Sequence, residues 1–173
     1  MRSLILGGAR SGKSALAERI ASQSGREVVY IATAQAHDGE MAQRIAHHRA
    51  QRPAHWACVE EPLALAQALR THAGNGTLLL VDCLTLWLSN LLGTQDEATF
   101  ALERDALLSL LPALPGEIVL VSNEVGLGVV PMGELTRRFV DEAGRLHQSL
   151  AACCERVVFV AAGLPLALKG QLT

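Results

Sequence analysis

Eight residues near the start of the chain have the types and the spacing to bind the phosphates of a nucleotide. In order they are Gly7, Gly8, Ala9, Arg10, Ser11, Gly12, Lys13 and Ser14. The pattern G-x-x-x-x-G-K-S is typical of a phosphate-binding loop. Its glycines let backbone N–H groups close around a phosphate, its lysine reaches the terminal phosphates, and the hydroxyl after it holds a magnesium ion. A glycine-rich turn that opens an ordinary helix is the alternative, and the full spacing argues against it.

Asp82 is the second candidate, because it directly follows the apolar run Leu78 to Val81. Phosphate-loop enzymes place the acid that orients magnesium at the end of a buried strand. We therefore expect Mg²⁺ to be held between Ser14 and Asp82. An N-cap for a helix that begins near Cys83 is the other interpretation of Asp82, and the two roles do not exclude one another.

The segment from Asp38 to Gln51 has the pattern of a helix with two neighbouring histidines. At about 100° per residue, His48 falls on the apolar side with Ile45, whereas His47 falls on the polar side with Arg44. His47 is thus the better candidate for a reactive histidine. From the spacing alone, a solvated surface histidine remains the favoured interpretation of His47.

Three other features have a functional and an ordinary interpretation. A carboxylate at Glu60 or Glu61 can bind a base or a ribose, although surface carboxylates are the favoured interpretation. The segment Asn123 to Pro131 combines two glycines with a proline, and it is either a shaped binding loop or a long connection. Trp87 lies among leucines and belongs either to the core or to a contact between subunits.

These candidates need a scaffold, and five apolar runs supply its strands: Leu4 to Leu6, Val28 to Ile31, Leu78 to Val81, Ile118 to Val121 and Val157 to Val160. The runs are continuous rather than alternating, which is typical of strands buried on both faces of a parallel sheet. The fold class predicted is α/β, a three-layer fold of the P-loop NTPase type with a mostly parallel central sheet. A sixth short strand is expected at Leu166 to Leu168. Polar residues after the strands, such as Ser122 and Glu124, would then line a ligand crevice.

Length and composition narrow the class of protein. We expect residues 1–173 to form a single nucleotide-binding catalytic domain, since half of the residues are apolar and the length suits one core. The net charge of −2 does not indicate binding to a nucleic acid or to an anionic membrane, since both attract a basic surface. The apolar runs are shorter than the ~20 residues of a membrane span, and Gly7 interrupts the first before it resembles a signal peptide.

The four cysteines lack the spacing of a zinc site or of a redox motif, and we expect a reduced, cytoplasmic protein.

Six further segments, together with the phosphate loop, carry a resemblance to a known family. They are residues 30–35, 40–49, 52–56, 81–91, 122–131 and 137–148. In these segments the chain resembles the bifunctional adenosylcobinamide kinase / adenosylcobinamide-phosphate guanylyltransferase family of cobalamin biosynthesis. The phosphate loop is shared with many families, whereas the His47 segment and the loop from Asn123 to Pro131 are far more specific.

The resemblance implies two reactions at one site. A nucleoside triphosphate phosphorylates the aminopropanol hydroxyl of adenosylcobinamide, and GMP is then transferred from GTP to that phosphate through a guanylylated histidine. The histidine at the matching position is His47, which overturns the surface interpretation, and Lys13 serves catalysis beside it. The nucleotide site implied adds Thr33, Ala34, Gln35, Arg49, Ala50, Gln51, Arg52, Glu60 and Asp82 to the phosphate loop.

The partners implied are GTP, ATP, a corrinoid substrate and further copies of the chain, with a trimer expected. The corrinoid is expected on the side bounded by Asn123 to Pro131.

Preference for guanine rests on the resemblance alone, because the sequence has no N-K-x-D motif. His147 departs from the family pattern, where Asn is expected. The alternatives are a phosphate-loop kinase with one activity and a structural His47, or a nucleotide-gated binding or ATPase module.

Overall fold

In the computed structural model, which describes residues 1–35 and 53–172, the chain is built on a seven-stranded sheet. Its strands are β1 Arg2–Gly7, β2 Glu27–Ala32, β3 Ala57–Glu60, β4 Thr77–Asp82, β5 Glu117–Asn123, β6 Arg156–Ala161 and β7 Leu164–Lys169. The order across the sheet is β3-β2-β4-β5-β1-β6-β7, and every pairing is parallel except that of β6 with β7. The six predicted strands and the α/β fold class are confirmed.

Helices connect the strands. They are α1 Lys13–Gln23, α2 Leu65–His72, α3 Leu84–Gly93, α4 Glu97–Leu110 and α5 Glu134–Cys153, with a 3₁₀ turn at Leu111–Ala113. The start of α4 shows how the sequence fixes such an end. The Asp96 side chain accepts a hydrogen bond from the Ala98 N–H at 3.0 Å, as an N-cap residue does.

The layers follow from the alternation of side chains along each strand. Leu4 and Leu6 of β1 face a core that α2, α3, α4 and α5 complete. Ile5, between them, faces the opposite core with Ala17 and Ala21 of α1. Successive side chains of a strand point to opposite faces, so an uninterrupted apolar run is what a sheet covered on both faces requires.

The register brings the candidate residues to one edge of the sheet. Gly7, which ends β1, is aligned with Asn123 of β5, and Asp82 of β4 is aligned with Ala32 of β2. Because the strands are parallel, their carboxyl ends meet at this edge, where ligands of open α/β sheets bind. The phosphate loop and the polar ends of four neighbouring strands therefore share a crevice.

Trp87 belongs to the core. Its side chain is 0% exposed, and its indole N–H donates to the Leu63 carbonyl at 2.8 Å. The alternative of a subunit contact is therefore wrong. Cys154 is buried in the same core, and Cys153 packs against that core. None of the four cysteines, which all lie in the described ranges, forms a disulfide. Within residues 1–35 and 53–172, no helix has the length and apolarity to cross a membrane.

Candidate active site

The phosphate loop joins β1 to α1 in a conformation that only glycine adopts with ease. Gly12 has φ of 99°, in the left-handed region, directly before α1 begins at Lys13. Inside the loop, the Ser11 N–H donates to the Gly8 carbonyl at 3.3 Å. From the turn between β6 and β7, the Gly163 N–H donates to the Ser11 carbonyl at 2.8 Å. The loop is thus fixed from inside and from a neighbouring hairpin.

Gly7 is required for a different reason, which is close packing. A Cβ at this position would collide with the carbonyl oxygen of Val160 and would lie 2.6 Å from the Ser11 Oγ. Within residues 1–35 and 53–172, the buried Ser11 Oγ has no hydrogen-bond partner. Gly8, by contrast, has open space where a Cβ would stand. The two neighbouring glycines of the motif therefore meet different constraints.

Lys13 lies at the start of α1 with only 7% of its surface exposed. Its Nζ donates to the Gly8 carbonyl at 2.8 Å. Burial lowers the pKa of Lys13, and the negative charge of Asp82 opposes that shift. A lysine ammonium that is partly desolvated and held inside the loop interacts strongly with phosphate charge. Lys13 follows β1 and Asp82 ends β4, and β5 lies between these two strands in the sheet.

Ser14 and Asp82 fit a magnesium ion that arrives with a nucleotide. Both offer hard oxygen ligands at the same edge of the sheet, and Mg²⁺ prefers one or two such ligands completed by phosphates and water. No cluster of three or more His, Cys, Asp or Glu side chains able to hold a metal occurs in the described ranges. Helix α3 begins at Leu84 with Cys83 in the N-cap position, so the N-cap interpretation of Asp82 is wrong.

Thr33, a predicted nucleotide contact, is fully buried and joins two strand ends. Its hydroxyl donates to the Cys83 carbonyl at 2.7 Å and accepts from the Cys83 N–H at 3.1 Å. The Asn90 side chain donates to the Thr33 carbonyl at 2.8 Å. These bonds position the chain next to Asp82, and a nucleotide contact of Thr33 remains a prediction.

The other predicted nucleotide contacts follow β2 and β3. Ala34 is half-buried, Gln35 is exposed, and Glu60 is exposed at the end of β3, aligned with Ala32. Four strand spacings separate β3 from β1, about 19 Å at ~4.8 Å each. A nucleotide with its phosphates at β1 would have to span this distance to contact Glu60, and these contacts remain predictions.

His47, Arg49, Ala50, Gln51 and Arg52 lie outside the described residues, as does the whole predicted helix from Asp38 to Gln51. Their roles therefore stay as the sequence predicts them. The described chain re-enters at residue 53, and Trp56 packs on the α1 face of the sheet.

A buried polar network at the end of β5 is a feature that sequence reasoning missed. His147 of α5 is 6% exposed, and its Nε2 lies 2.8 Å from the Ser122 Oγ. The Ser122 Oγ is 3.3 Å from the Thr85 Oγ1, which accepts from the Asn123 N–H at 2.6 Å. Burial lowers the pKa of His147, and the charge of Glu124 opposes the shift. The polar residues after β5 were visible in the sequence, but nothing local linked them to α5.

A pocket opens beside this network, between the loop that follows β5 and α5. Its volume is ≈ 170 Å³, and it is lined by Val125, Gly126, Gly128, Val129, Val130, Pro131, Arg137, Val140 and Asp141. The Arg137 guanidinium donates to the Pro131 carbonyl at 3.2 Å and also to the Met132 carbonyl. These bonds connect the loop after β5 to α5, and most of the residues that line the pocket are apolar or glycine.

The fold and the loop define a nucleotide-binding α/β protein with a phosphate-binding loop after the first strand. A RadB recombinase has a similar fold, with a TM-score of 0.54, 16% sequence identity, and coverage of 91% of this chain and 73% of that chain. At this identity the likeness concerns the fold alone.

The family profile described as "Cobinamide kinase / cobinamide phosphate guanyltransferase" matches residues 3–168. The bifunctional adenosylcobalamin biosynthesis protein CobP of Pseudomonas aeruginosa is 67% identical over 171 residues, which are 99% of each chain. The bifunctional adenosylcobalamin biosynthesis protein CobU of Escherichia coli is 40% identical over 182 residues, covering 98% of this chain and 100% of that protein. This chain belongs to the cobinamide kinase / cobinamide phosphate guanyltransferase family.

Proposed function

We propose that the chain phosphorylates adenosylcobinamide with a nucleoside triphosphate and then transfers GMP from GTP to the new phosphate through a guanylylated His47. The products are adenosylcobinamide-GDP and pyrophosphate. The observation that supports the proposal most is the family match over residues 3–168, which spans the phosphate loop, His47 and the loop after β5. GTP and ATP are the nucleotides expected of such an enzyme.

In the kinase step, the substrate hydroxyl attacks the γ-phosphorus and the nucleoside diphosphate leaves. The N–H groups of the phosphate loop and the Lys13 ammonium stabilise charge on the transferred group. Ser14 and Asp82 would hold Mg²⁺ with the nucleotide, where the ion neutralises phosphate charge. The low exposure of Lys13 keeps water away from this charge and strengthens its effect.

In the guanylyl step, the neutral imidazole of His47 attacks the α-phosphorus of GTP, an N–P bond forms and pyrophosphate leaves. The phosphate of the first product then attacks the same phosphorus and releases the histidine. Splitting one transfer into two displacements through an activated nucleophile is the advantage of covalent catalysis. Arg49, Arg52 and Glu60 are proposed to hold the nucleotide that His47 attacks.

Labelling of the protein by GTP tests this proposal. The purified chain is incubated with GTP that carries radioactive phosphorus in its α-phosphate, then denatured and separated from free nucleotide. We expect an acid-labile, base-stable label on the wild type and on His48→Ala, and none on His47→Ala. A wild type without label would leave a kinase with a single activity. Label that survives in His47→Ala but is lost in His48→Ala would assign the reaction to the other histidine.

The assembly and the location are also part of the proposal. The family resemblance implies a homo-oligomer, which we propose is a trimer, and a cytoplasmic enzyme that binds a corrinoid. Light scattering on the purified chain should give three times the mass of 18.4 kDa, and a monomer mass at assay concentration would contradict the trimer.

A further inference from the structure

We propose that Glu124 is the general base of the kinase step and takes the proton from the substrate hydroxyl as that oxygen attacks the γ-phosphorus. The inference rests on the proposed binding of the triphosphate at the phosphate loop. It adds a catalytic residue that neither the loop nor His47 supplies, because neither places a carboxylate beside the hydroxyl.

The backbone of Glu124 is tied directly to the phosphate loop. Its N–H donates to the Gly7 carbonyl at 2.9 Å, one residue beyond the paired positions Gly7 and Asn123 of β1 and β5. Of the strands, β5 is one of the two neighbours of β1. Glu124 thus follows β5, the strand that lies between β1, which leads into the phosphate loop, and β4, which ends at Asp82.

The carboxylate of Glu124 is oriented, yet it keeps an oxygen with capacity to accept. Oε1 accepts from the Gly126 N–H at 2.7 Å, and Oε2 lies 3.7 Å from the His147 Nδ1. The side chain is 23% exposed, so solvent and ligands can reach it. Among the residues that the structure describes, no Lys or Arg forms an ion pair with Glu124. A carboxylate oxygen that no Lys or Arg holds is available to accept a hydrogen bond from a substrate hydroxyl.

His147 is the positioning residue for this carboxylate. The ring is buried and fixed by the bond from its Nε2 to Ser122, which in turn lies next to Thr85. Among the described residues, no group lies within hydrogen-bond distance of the buried Nδ1, and Glu124 Oε2 lies 3.7 Å from it. A buried ring nitrogen without a partner is costly, and a small movement of Glu124 toward it would satisfy both groups.

The position of Glu124 also suits the approach of a bulky alcohol. Val125 and Gly126 follow it directly and line the pocket under the loop, where the corrinoid is expected. Glu124 therefore stands between the phosphate loop and the pocket. Three other acids near this edge are placed differently. Asp82 is proposed to hold the metal, Glu61 accepts from the N–H groups of Leu63 and Ala64 at the β3 end, and Asp141 lines the pocket from α5.

The step is balanced by groups already named. A bond forms between the substrate oxygen and the γ-phosphorus, the bond from that phosphorus to the bridging oxygen breaks, and the nucleoside diphosphate leaves with the bond's electrons. The proton of the hydroxyl passes to the Glu124 carboxylate and returns to solvent after product release. A positioned base in such a step contributes about 10²- to 10⁴-fold to the rate.

The variant Glu124→Gln tests the proposal, because the amide oxygen still accepts from Gly126 while the basic carboxylate is lost. With adenosylcobinamide and ATP, we expect kcat to fall about 10²-fold or more and the acid limb of its pH profile to disappear. With adenosylcobinamide phosphate and GTP, which need no base for a hydroxyl, we expect pyrophosphate release within about threefold of wild type. Retained guanylyl transfer also reports that the variant is folded. Glu134→Gln, an exposed carboxylate at the start of α5, is the matched control and should change neither reaction.

Three results would overturn the proposal. They are a Glu124→Gln kinase within about fivefold of wild type, an equal loss of both reactions, or loss of the acid limb in Asp141→Asn instead. If Glu124→Gln does not fold, Glu124→Asp decides, since a shortened base must keep the acid limb at reduced kcat and a merely structural carboxylate must not. A wild type without kinase activity would instead contradict the proposed function itself.

Discussion

The phosphate loop and the end of β5 lie side by side at one edge of the sheet, yet they are built in different ways. The loop is made of contiguous residues, and its active groups are mostly backbone N–H groups fixed by glycine conformations such as that of Gly12. The end of β5 depends on side chains from three separate elements, with Thr85 from α3, Ser122 from β5 and His147 from α5. The phosphate loop therefore acts mainly through backbone groups, whereas the end of β5 acts through side chains.

This difference suggests a division of labour. A backbone cradle recognises phosphates whatever phosphorus atom is attacked, so it suits an anchor shared by both reactions. Side chains such as Glu124 and His147 distinguish a hydroxyl from other nucleophiles, so they suit one reaction only. Variants that change only one of the two regions test whether the phosphate loop serves both reactions and the end of β5 serves one.

The largest effect is expected for Lys13→Met, because the buried ammonium serves the shared anchor. Both kinase turnover and His47 guanylylation should fall about 10²- to 10³-fold, as when a stabilising donor is removed from a transition state. The two assays with ATP and with α-labelled GTP measure this. Lys169→Met, which removes an exposed lysine of β7, is the control and should leave both rates unchanged. A loss confined to one reaction would show that the loop is not shared.

A smaller effect, on stability, is expected when the glycines of the loop are exchanged. Gly7→Ala places a Cβ against the Val160 carbonyl, and the overpacking should lower the free energy of unfolding by about 1–3 kcal/mol. Gly8→Ala meets open space and should change it by less than about 0.5 kcal/mol. Urea unfolding of both variants gives the comparison. Equal values would mean that the loop is not held against β6 as the structure places it.

The smallest effect concerns His147 and pH. Burial lowers the pKa of His147 below 6.5, so near that pH the unfolded chain binds a proton that the folded protein does not. The free energy of unfolding should therefore fall as the pH drops through about 6.5 and below. The contribution of the neutral His147 ring to stability is complete only above that pH.

In His147→Asn, which removes the titration, the slope of stability against pH should become shallower over this range. Urea unfolding at a series of pH values measures the slope. His55→Asn, which exchanges an exposed histidine, is measured in parallel as the comparison variant. An unchanged slope in His147→Asn would contradict the burial of a neutral ring.

The fold was largely predictable because its signals are local. Continuous apolar runs indicated the strands, and the G-x-x-x-x-G-K-S pattern fixed where the first strand must end and α1 begin. The antiparallel edge strand β7 was predicted as a strand, but its direction depends on the tight turn at Ala162 and Gly163, both with positive φ. Those residues look like an ordinary glycine turn in the sequence.

Site residues could be proposed from the sequence only where their place relative to a strand is fixed, and their roles stay predictions. Lys13, Ser14 and Asp82 could be named because each has a fixed place relative to a strand. The link between Ser122 and His147 spans 25 residues and depends on how α5 packs, so no local pattern reveals it. Thr33 was predicted from resemblance as a nucleotide contact, and its bonds to Cys83 could not be anticipated without the pairing of β2 with β4.

The number of nucleotide sites on each chain tests directly whether one phosphate loop serves both transfers. Calorimetry with non-hydrolysable analogues of GTP and ATP, in the presence of Mg²⁺, counts the sites on each chain and shows whether the analogues compete. We expect one site per chain, full competition between the two analogues, and loss of binding of both in Lys13→Met. Two sites filled at once, or ATP-analogue binding that persists in Lys13→Met, would contradict it.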